Sequence, residues 1–533
     1  MKYKIIIILS FLIVWLTSCS GDEHKDKITF RVTNEVEPDS LDPQLATSVQ
    51  SFNIIMNIFS GLTTRETQTG GYKPGLAKSW DISADGLVYT LHLREGIVWS
   101  DGVPITAEGI RKSYLRILNK ETASQYVDIV KSAIKNAHDY FEGKIPESEL
   151  GIKTIDNLTL EITLIAPKPY FLDMLVHQTF IPVPIHVIEK HGQNWTNPEN
   201  IVTSGAYKLK TRIPNEKIVL EKNDKYYNAS NVEIDEVIFY QVQGNTAYNM
   251  YINDELDFLT NVASEYLDEA RIRNDYYSHP INRVVYMAFN TTIKPLDNAK
   301  VREALTLAID REALNKITLK GQSKPTRNLT PPFKNYSYGK QLKLFDPQRA
   351  KQLMAEAGYP DGSGFPTLKF KTSQRNGMAI SAEFLQEQLK KILNINIEIE
   401  IEEWNTFLGS RSTGNYQMSY MGWTGDYLDP LTFLESLFTT ENQGFGAYGY
   451  SNKQYDNLIK QSNFAKDPLQ RQEILRQAEA IITEKDFPVA PLSILQSYYL
   501  FRHDKWTGWT PNVAEAYLYE EIKYKRENTN NKI

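Results

Sequence analysis

The sequence predicts an α/β protein of two lobes, the first of them interrupted by an inserted domain. Three observations lead there. Strand and helix patterns alternate from Thr367 to Arg411, as an α/β layer requires. Candidate strands of one lobe fall in separated stretches, about 28–70 and 195–285, with Pro182-Val183-Pro184 and a loop from Asn194 to Thr203 as punctuation between them. The chain has 533 residues, enough for about three domains.

The amino end reads as a leader. Met1-Lys2-Tyr3-Lys4 precedes an apolar run from Ile5 to Leu16 and then Thr17-Ser18-Cys19. That run is about a dozen residues, short of the roughly 20 that a spanning helix needs. Leu16-Thr17-Ser18-Cys19 resembles a bacterial lipobox, which implies removal of 1–18 and a lipid-modified Cys19; an ordinary cleaved signal with an incidental cysteine is the alternative. Cys19 is the single cysteine, so an intramolecular disulfide is impossible. Ser20 to Lys27 is polar and charged, and 19–27 suits a short tether between a membrane anchor and the fold. A formal net charge of −6 without a basic cluster argues against nucleic acid as a partner.

Elements follow in order. Ile28 to Thr33 alternates as a strand, and Ser51 to Ser60 puts Ile54, Ile55, Ile58 and Phe59 on one helix face before Gly61. Asp85-Gly86 marks a hairpin, after which Leu87, Tyr89, Leu91 and Leu93 alternate as a strand. Pro104-Ile105-Thr106 enters a helix to about Leu118, and Leu158 to Leu164 is a strand ended by Pro167. Further strands fit Ile218 to Leu220 and Val237 to Val242, and Val284 to Asn290 crosses into the second lobe. There Asn298 to Lys316 is helical by spacing, and Asp346-Pro347 caps a helix that Gly358 closes. A strand from Tyr416 to Tyr420 runs into a glycine-flanked loop, then a helix beginning at Asp429-Pro430. Helices fill Asn452 to Lys485, and Pro488 to Leu500 returns to the first lobe as a strand, with a polar tail after Tyr524.

The loop Gly422-Trp423-Thr424-Gly425-Asp426-Tyr427 carries the most chemistry. Gly422 and Gly425 lack a Cβ, so a ligand backbone has room to approach. Trp423 is a flat apolar wall, and an ammonium is the natural counter-ion of Asp426. The same residues also suit core packing and an Asp that bonds its own backbone.

The wider string resembles the Gly-Trp-x-x-Asp-Tyr segment of the oligopeptide-binding proteins, the solute receptors of peptide ABC importers. Pro74-Gly75-Leu76-Ala77, Leu93-Arg94-Glu95-Gly96, Trp99-Ser100-Asp101-Gly102 and Pro104-Ile105-Thr106-Ala107 resemble the signature of the same large family of peptide- and nickel-binding receptors. The resemblance implies a two-lobed periplasmic-binding-protein-like type II fold: lobe I from 28–70, 195–285 and 497–533, the inserted domain from 71–194, and lobe II from 286–496. It implies that Asp426 pairs with a peptide amino terminus. Trp423 and Trp404 wall side-chain pockets, and Arg411 lies near the ligand. Gly422, Thr424 and Val49 meet the peptide main chain, and Tyr126 touches it. Val49 also fits as the first residue of a helix, and Tyr126 as an ordinary half-buried tyrosine. In the family a cation lies three residues before the Trp; here Tyr420 stands there. The partner of a peptide carboxylate is therefore open, with Arg411 or an unplaced Lys or His as options.

No Gly-x-Ser-x-Gly, P-loop, His-Glu-x-x-His or cysteine pair is present, so the sequence speaks for binding and against catalysis. His186 and His191 are spaced wrongly for a shared metal on one helix face. The expectation is a monomeric receptor for short peptides, without metal or cofactor. It is lipid-anchored outside the cytoplasm, at the periplasmic face of the inner membrane or the cell surface, and feeds a permease. A receptor for another solute, such as a nickel complex, an adhesin or signalling lipoprotein, and a hydrolase are the competing readings.

Overall fold

Two long antiparallel strands, Tyr276–Phe289 and Val489–Phe501, run side by side through the molecule and join its two lobes. The computed structural model describes residues 27–333, 336–373, 377–442, 446–465 and 467–526. The leader 1–18, Cys19, the tether as far as residue 26 and the tail from 527 lie outside the described residues.

Among the described residues the main sheet has eleven strands, one of which, Ser323–Pro325, pairs with Val489–Phe501 off the main path. On one side of the long pair lie Met418–Thr424, Leu368–Ser373 and Ile397–Glu402. On the other lie Phe258–Leu259, Thr29–Thr33, Glu236–Tyr240, Lys217–Lys222 and Tyr207–Ile213. Thr29–Thr33 pairs in parallel with Glu236–Tyr240, so the intervening chain leaves this lobe and comes back. Within that excursion a separate antiparallel sheet forms, ordered Ala77–Ile82, Val88–Leu93, Thr159–Thr163, Ile152–Asp156. Its hairpin turns at Asp85-Gly86, where Gly86 takes φ +74°. Tyr89, Leu91 and Leu93 are buried, while Val88, Thr90 and His92 between them are only partly covered.

Strand periodicity sends the side chains of Tyr276–Phe289 into two separate cores. Val284, Tyr286 and Ala288 point into the large core that also holds Met421 and Phe433. Val285, Met287 and Phe289 point the other way, against Met418, Tyr420 and the helices Ala299–Leu307, Pro347–Glu356 and Met378–Leu393. The helix expected from Asn298 to Lys316 is two helices, Ala299–Leu307 and Arg311–Thr318. Asp310 causes the break: its carboxylate accepts the Ala313 N–H at 3.0 Å and starts a second helix. The expected cap at Asp346-Pro347 forms, with Asp346 accepting from the Arg349 N–H.

The strand expected to end at Tyr420 continues to Thr424, because Gly422, Trp423 and Thr424 pair with Val285, Val284 and Arg283 of the long strand. The loop is thus shorter than its glycines suggest. Close to this pairing, the long strands lose register between Pro280 and Val284, a bulge that bends the crossing region.

Candidate ligand-binding site

Among the described residues, backbone pairing leaves the Gly422–Thr424 end of one edge of Met418–Thr424 open. Gly425 N–H donates to the Asn282 carbonyl at 2.8 Å, and Asn290 N–H donates to the Gln417 carbonyl at 2.9 Å. Hydrogen-bonded pairs recur at every second residue of an antiparallel ladder. Met421 and Trp423 therefore spend their backbone groups on the long strand, and those of Gly422 and Thr424 face the other edge. On that edge Leu368–Ser373 pairs only at Met418 and Ser419.

The turn that follows is pinned at nearly every residue. Asn282 Nδ2 donates to the carbonyls of Gly425 (3.0 Å) and Tyr427 (3.3 Å), and the Asp426 N–H donates to Thr432 Oγ1 (3.0 Å). Leu428 N–H donates to Asp173, and Asp429 accepts two bonds from Arg471 at 2.7 and 2.8 Å. Asp429 also accepts the Leu431 N–H, just before the helix Leu431–Phe438, besides pairing with Arg471. The carboxylate of Asp426 differs: among the described residues no side chain or N–H bonds to it. Burial alone pushes its pKa up to about 6. Asp426 is thus half-buried in a pinned turn, with no counter-charge beside it among the described residues.

Asp426 lies between two adjoining cavities of about 390 and 190 Å³. The smaller brings together four of the expected residues, Val49, Tyr126, Thr424 and Asp426. Trp423 lines the larger with Asp426. Gly422, Trp404 and Arg411 line neither. Arg411 and Trp404 share the helix Trp404–Ser412, and the Arg411 guanidinium sits 6.0 Å from the Trp423 ring centre. Tyr420, at the position where the family resemblance calls for a cation, is buried in the second core.

Val49 is the first residue of the helix Val49–Ile58 and is 57% exposed. Ser48 caps this helix, and Asp39 organises the cap by accepting from Thr47, Ser48 and Ser51. Partial burial would raise the Asp39 pKa, but these donors outweigh it and hold the carboxyl well below its usual range. The Val49 N–H is one of the first-turn donors without an intrahelical acceptor, and Val49 lines the smaller cavity.

The glycines do different work from that expected. A Cβ on Gly425 would overlap the Asn282 amide and the Thr432 methyl, so the group that approaches there is the protein's own asparagine. At Gly422 the nearest atoms to such a Cβ are Val284 O at 3.4 Å and Arg283 Nε at 3.8 Å, ordinary contacts. Sequence reasoning also missed Asn282 and His177. His177 borders both cavities with its ring 5.1 Å from that of Tyr126, and burial, followed by the nearby Arg65 charge, lowers its pKa to about 4. It is a neutral ring there. No local pattern marks either residue; only the fold brings them to Asp426.

Comparison with known proteins identifies the family. The family model for bacterial extracellular solute-binding proteins, family 5, matches residues 71–445. The periplasmic oligopeptide-binding protein OppA of Salmonella typhimurium is 34% identical over 492 residues, covering 89% of this chain and 88% of that one. The probable deoxycholate-binding periplasmic protein YgiS of Escherichia coli is 34% identical over 478 residues, covering 87% of each. Among solved structures, the periplasmic oligopeptide-binding protein OppAIV of Borrelia burgdorferi superposes with a TM-score of 0.78 at 56% identity, over 94% of this chain and 100% of that one. The chain belongs to the bacterial extracellular solute-binding proteins of family 5, and its fold is the two-lobed type II fold of that family.

Proposed function

We propose that this protein is an extracytoplasmic receptor that captures oligopeptides and delivers them to an ABC importer. The observation that carries the proposal is the carboxylate of Asp426, half-buried, uncompensated and next to an open strand edge. A peptide amino terminus supplies the missing charge. Its main chain then runs from Thr424 toward Gly422, antiparallel to the strand, bonding to both residues as an added strand does. The Val49 N–H offers a donor from the facing lobe. Such bonds are indifferent to peptide sequence. Trp423 and Tyr126 wall the side-chain space, with Arg411 beside Trp423 and Trp404 on the helix that carries Arg411, and water filling unused volume keeps specificity broad. The similarity to oligopeptide-binding proteins supports the same reading.

The resemblance to YgiS favours one other ligand class, an anionic steroid. Asp426 argues against it, since a bile acid brings no ammonium to pair with that carboxylate. Mass spectrometry of the ligand that copurifies with the protein separates the two: peptides support the proposal, a bile acid overturns it. Titration calorimetry adds a second check. N-acetylation of a peptide removes its charge and should abolish most of its affinity; equal binding of the free and acetylated forms would remove Asp426 from the site.

The proposal also sets a pH dependence. The empty site holds a proton below about pH 6, whereas ammonium binding requires the ionised carboxylate. Peptide binding must then release a proton. Affinity should fall about tenfold per unit as pH drops below about 6 and stay level from there toward neutrality. Calorimetry across pH 4.5–7.5, in buffers of different ionisation heat, reads both the slope and the proton. Removal of 1–18, lipidation of Cys19, a tether over 19–27, the lobe boundaries given above and a monomeric state complete the proposal. The mass of the exported protein's first peptide tests the lipid, which anchors a chain in which no described helix is long and apolar enough to cross a membrane.

A further inference from the structure

The turn that carries Asp426 is clasped from across the cleft by residues of the first half of the chain. Asp173, on the short helix Phe171–Met174, is buried, and its two oxygens have different partners. Oδ1 accepts from Arg65 Nη1 at 2.5 Å, and Oδ2 accepts from the Leu428 N–H at 2.5 Å. Arg65 belongs to the same side of the molecule as Asp173, and its Nη1 also donates to the Gly70 carbonyl at 2.8 Å. Leu428 belongs to the other side, two residues beyond Asp426. Beside this bond the ring of Tyr170 stacks on that of Tyr427, 4.4 Å between centres and 5° from parallel. The Tyr170 hydroxyl donates to Glu435 Oε2 at 3.0 Å, on the helix Leu431–Phe438 that follows the turn.

These contacts divide into two classes. The Arg65–Asp173 pair lies within one side and survives any movement of the lobes. The Leu428 bond, the tyrosine stack and the Glu435 bond exist only while the lobes are together. All three act on the segment that holds Asp426. We infer that Asp173 and Tyr170 form a closure latch, in which Asp173, already oriented by Arg65, captures the Leu428 N–H as the lobes meet and locks the Asp426 turn in its ligand-holding position. This rests on the reading of Asp426 as the amine partner. Asp173 and Tyr170 are positioning residues: they act on the ligand through the turn. Closure driven by such contacts is a population shift, and a weakened latch shows first as faster ligand release.

Two variants of the full-length protein test the latch. In Asp173→Asn one of the two accepting oxygens becomes an NH2 that faces either the Arg65 or the Leu428 donor, so the present pair of bonds cannot both form. Tyr170→Leu removes the stack and the hydroxyl while leaving Asp173 alone, and remains informative if the first variant folds poorly. Small-angle scattering of the ligand-free proteins should show both variants more open than wild type. Stopped-flow measurement with a free-amine tripeptide should show release at least tenfold faster, association within about twofold, and the preference for free over acetylated peptide retained. Ligand-free profiles identical to wild type, with unchanged release, would overturn the latch. Loss of the free-over-acetylated preference in wild type, with the opening of the variants intact, would overturn the amine reading and leave the latch standing.

Discussion

Asp426→Asn lowers affinity for a free-amine peptide by a hundredfold or more and leaves an N-acetylated peptide bound as weakly as before. The substitution keeps the shape of the side chain and its ability to accept a hydrogen bond, but removes the charge. Breaking a desolvated ion pair from one side typically costs about 3–5 kcal/mol, and each 1.4 kcal/mol is a tenfold change. The empty protein responds in the opposite sense. Burial raises the folded-state pKa of Asp426 to about 6 from an ordinary value of 3.8. The stabilisation associated with the neutral form is present below the unfolded value and lost as pH rises through about 6. At pH 7 the wild type therefore carries an uncompensated charge that the asparagine lacks, so the ligand-free variant should melt at least as high as wild type. Weak binding by a better-folded variant is hard to explain except through the ligand. A variant that binds both peptide forms as wild type does would show that the amine lies elsewhere.

Gly425→Ala disables the site from behind. Its new Cβ has to displace Asn282 or Thr432, and neither is the loose end of a long side chain. Asn282 Nδ2 bonds to the Gly425 and Tyr427 carbonyls and its backbone N–H to Val513, so moving it releases the turn on both sides of Asp426. Overpacking of this kind costs about 1–3 kcal/mol in stability, and the displaced carboxylate should cost at least tenfold in peptide affinity. Gly422→Ala is the control for folding, since ordinary van der Waals contacts await its Cβ; denaturant unfolding should separate the two by about 1 kcal/mol or more. Equal stability and equal binding in Gly425→Ala would mean that Asn282 does not hold the turn.

Much of the architecture was legible because it is written over a few residues. The cap at Asp346-Pro347, the turn at Asp85-Gly86 and the alternation from Val88 to Leu93 each depend on neighbours close in sequence, and each appears where local rules put it. The string around Asp426 singled that residue out, and it lines one cavity together with Val49, Tyr126 and Thr424. The end of its strand was not legible. Gly422 and Gly425 look like a loop until Val285, Val284 and Arg283 are aligned beside them, and then pairing outweighs the glycine's weak preference.

What the sequence by itself determined, then, is which short elements form, and that a lone acid follows a Gly-Trp strand end. Tertiary structure decided which edge of that strand stays open, which asparagine fixes the turn, and which acid closes over it. Asp173 and Leu428 are 255 residues apart. A hydrogen bond between such residues carries no local periodicity or capping pattern. It exists because two crossing strands bring two separately folded surfaces to within bonding distance, and the chain between them encodes that only through the whole fold.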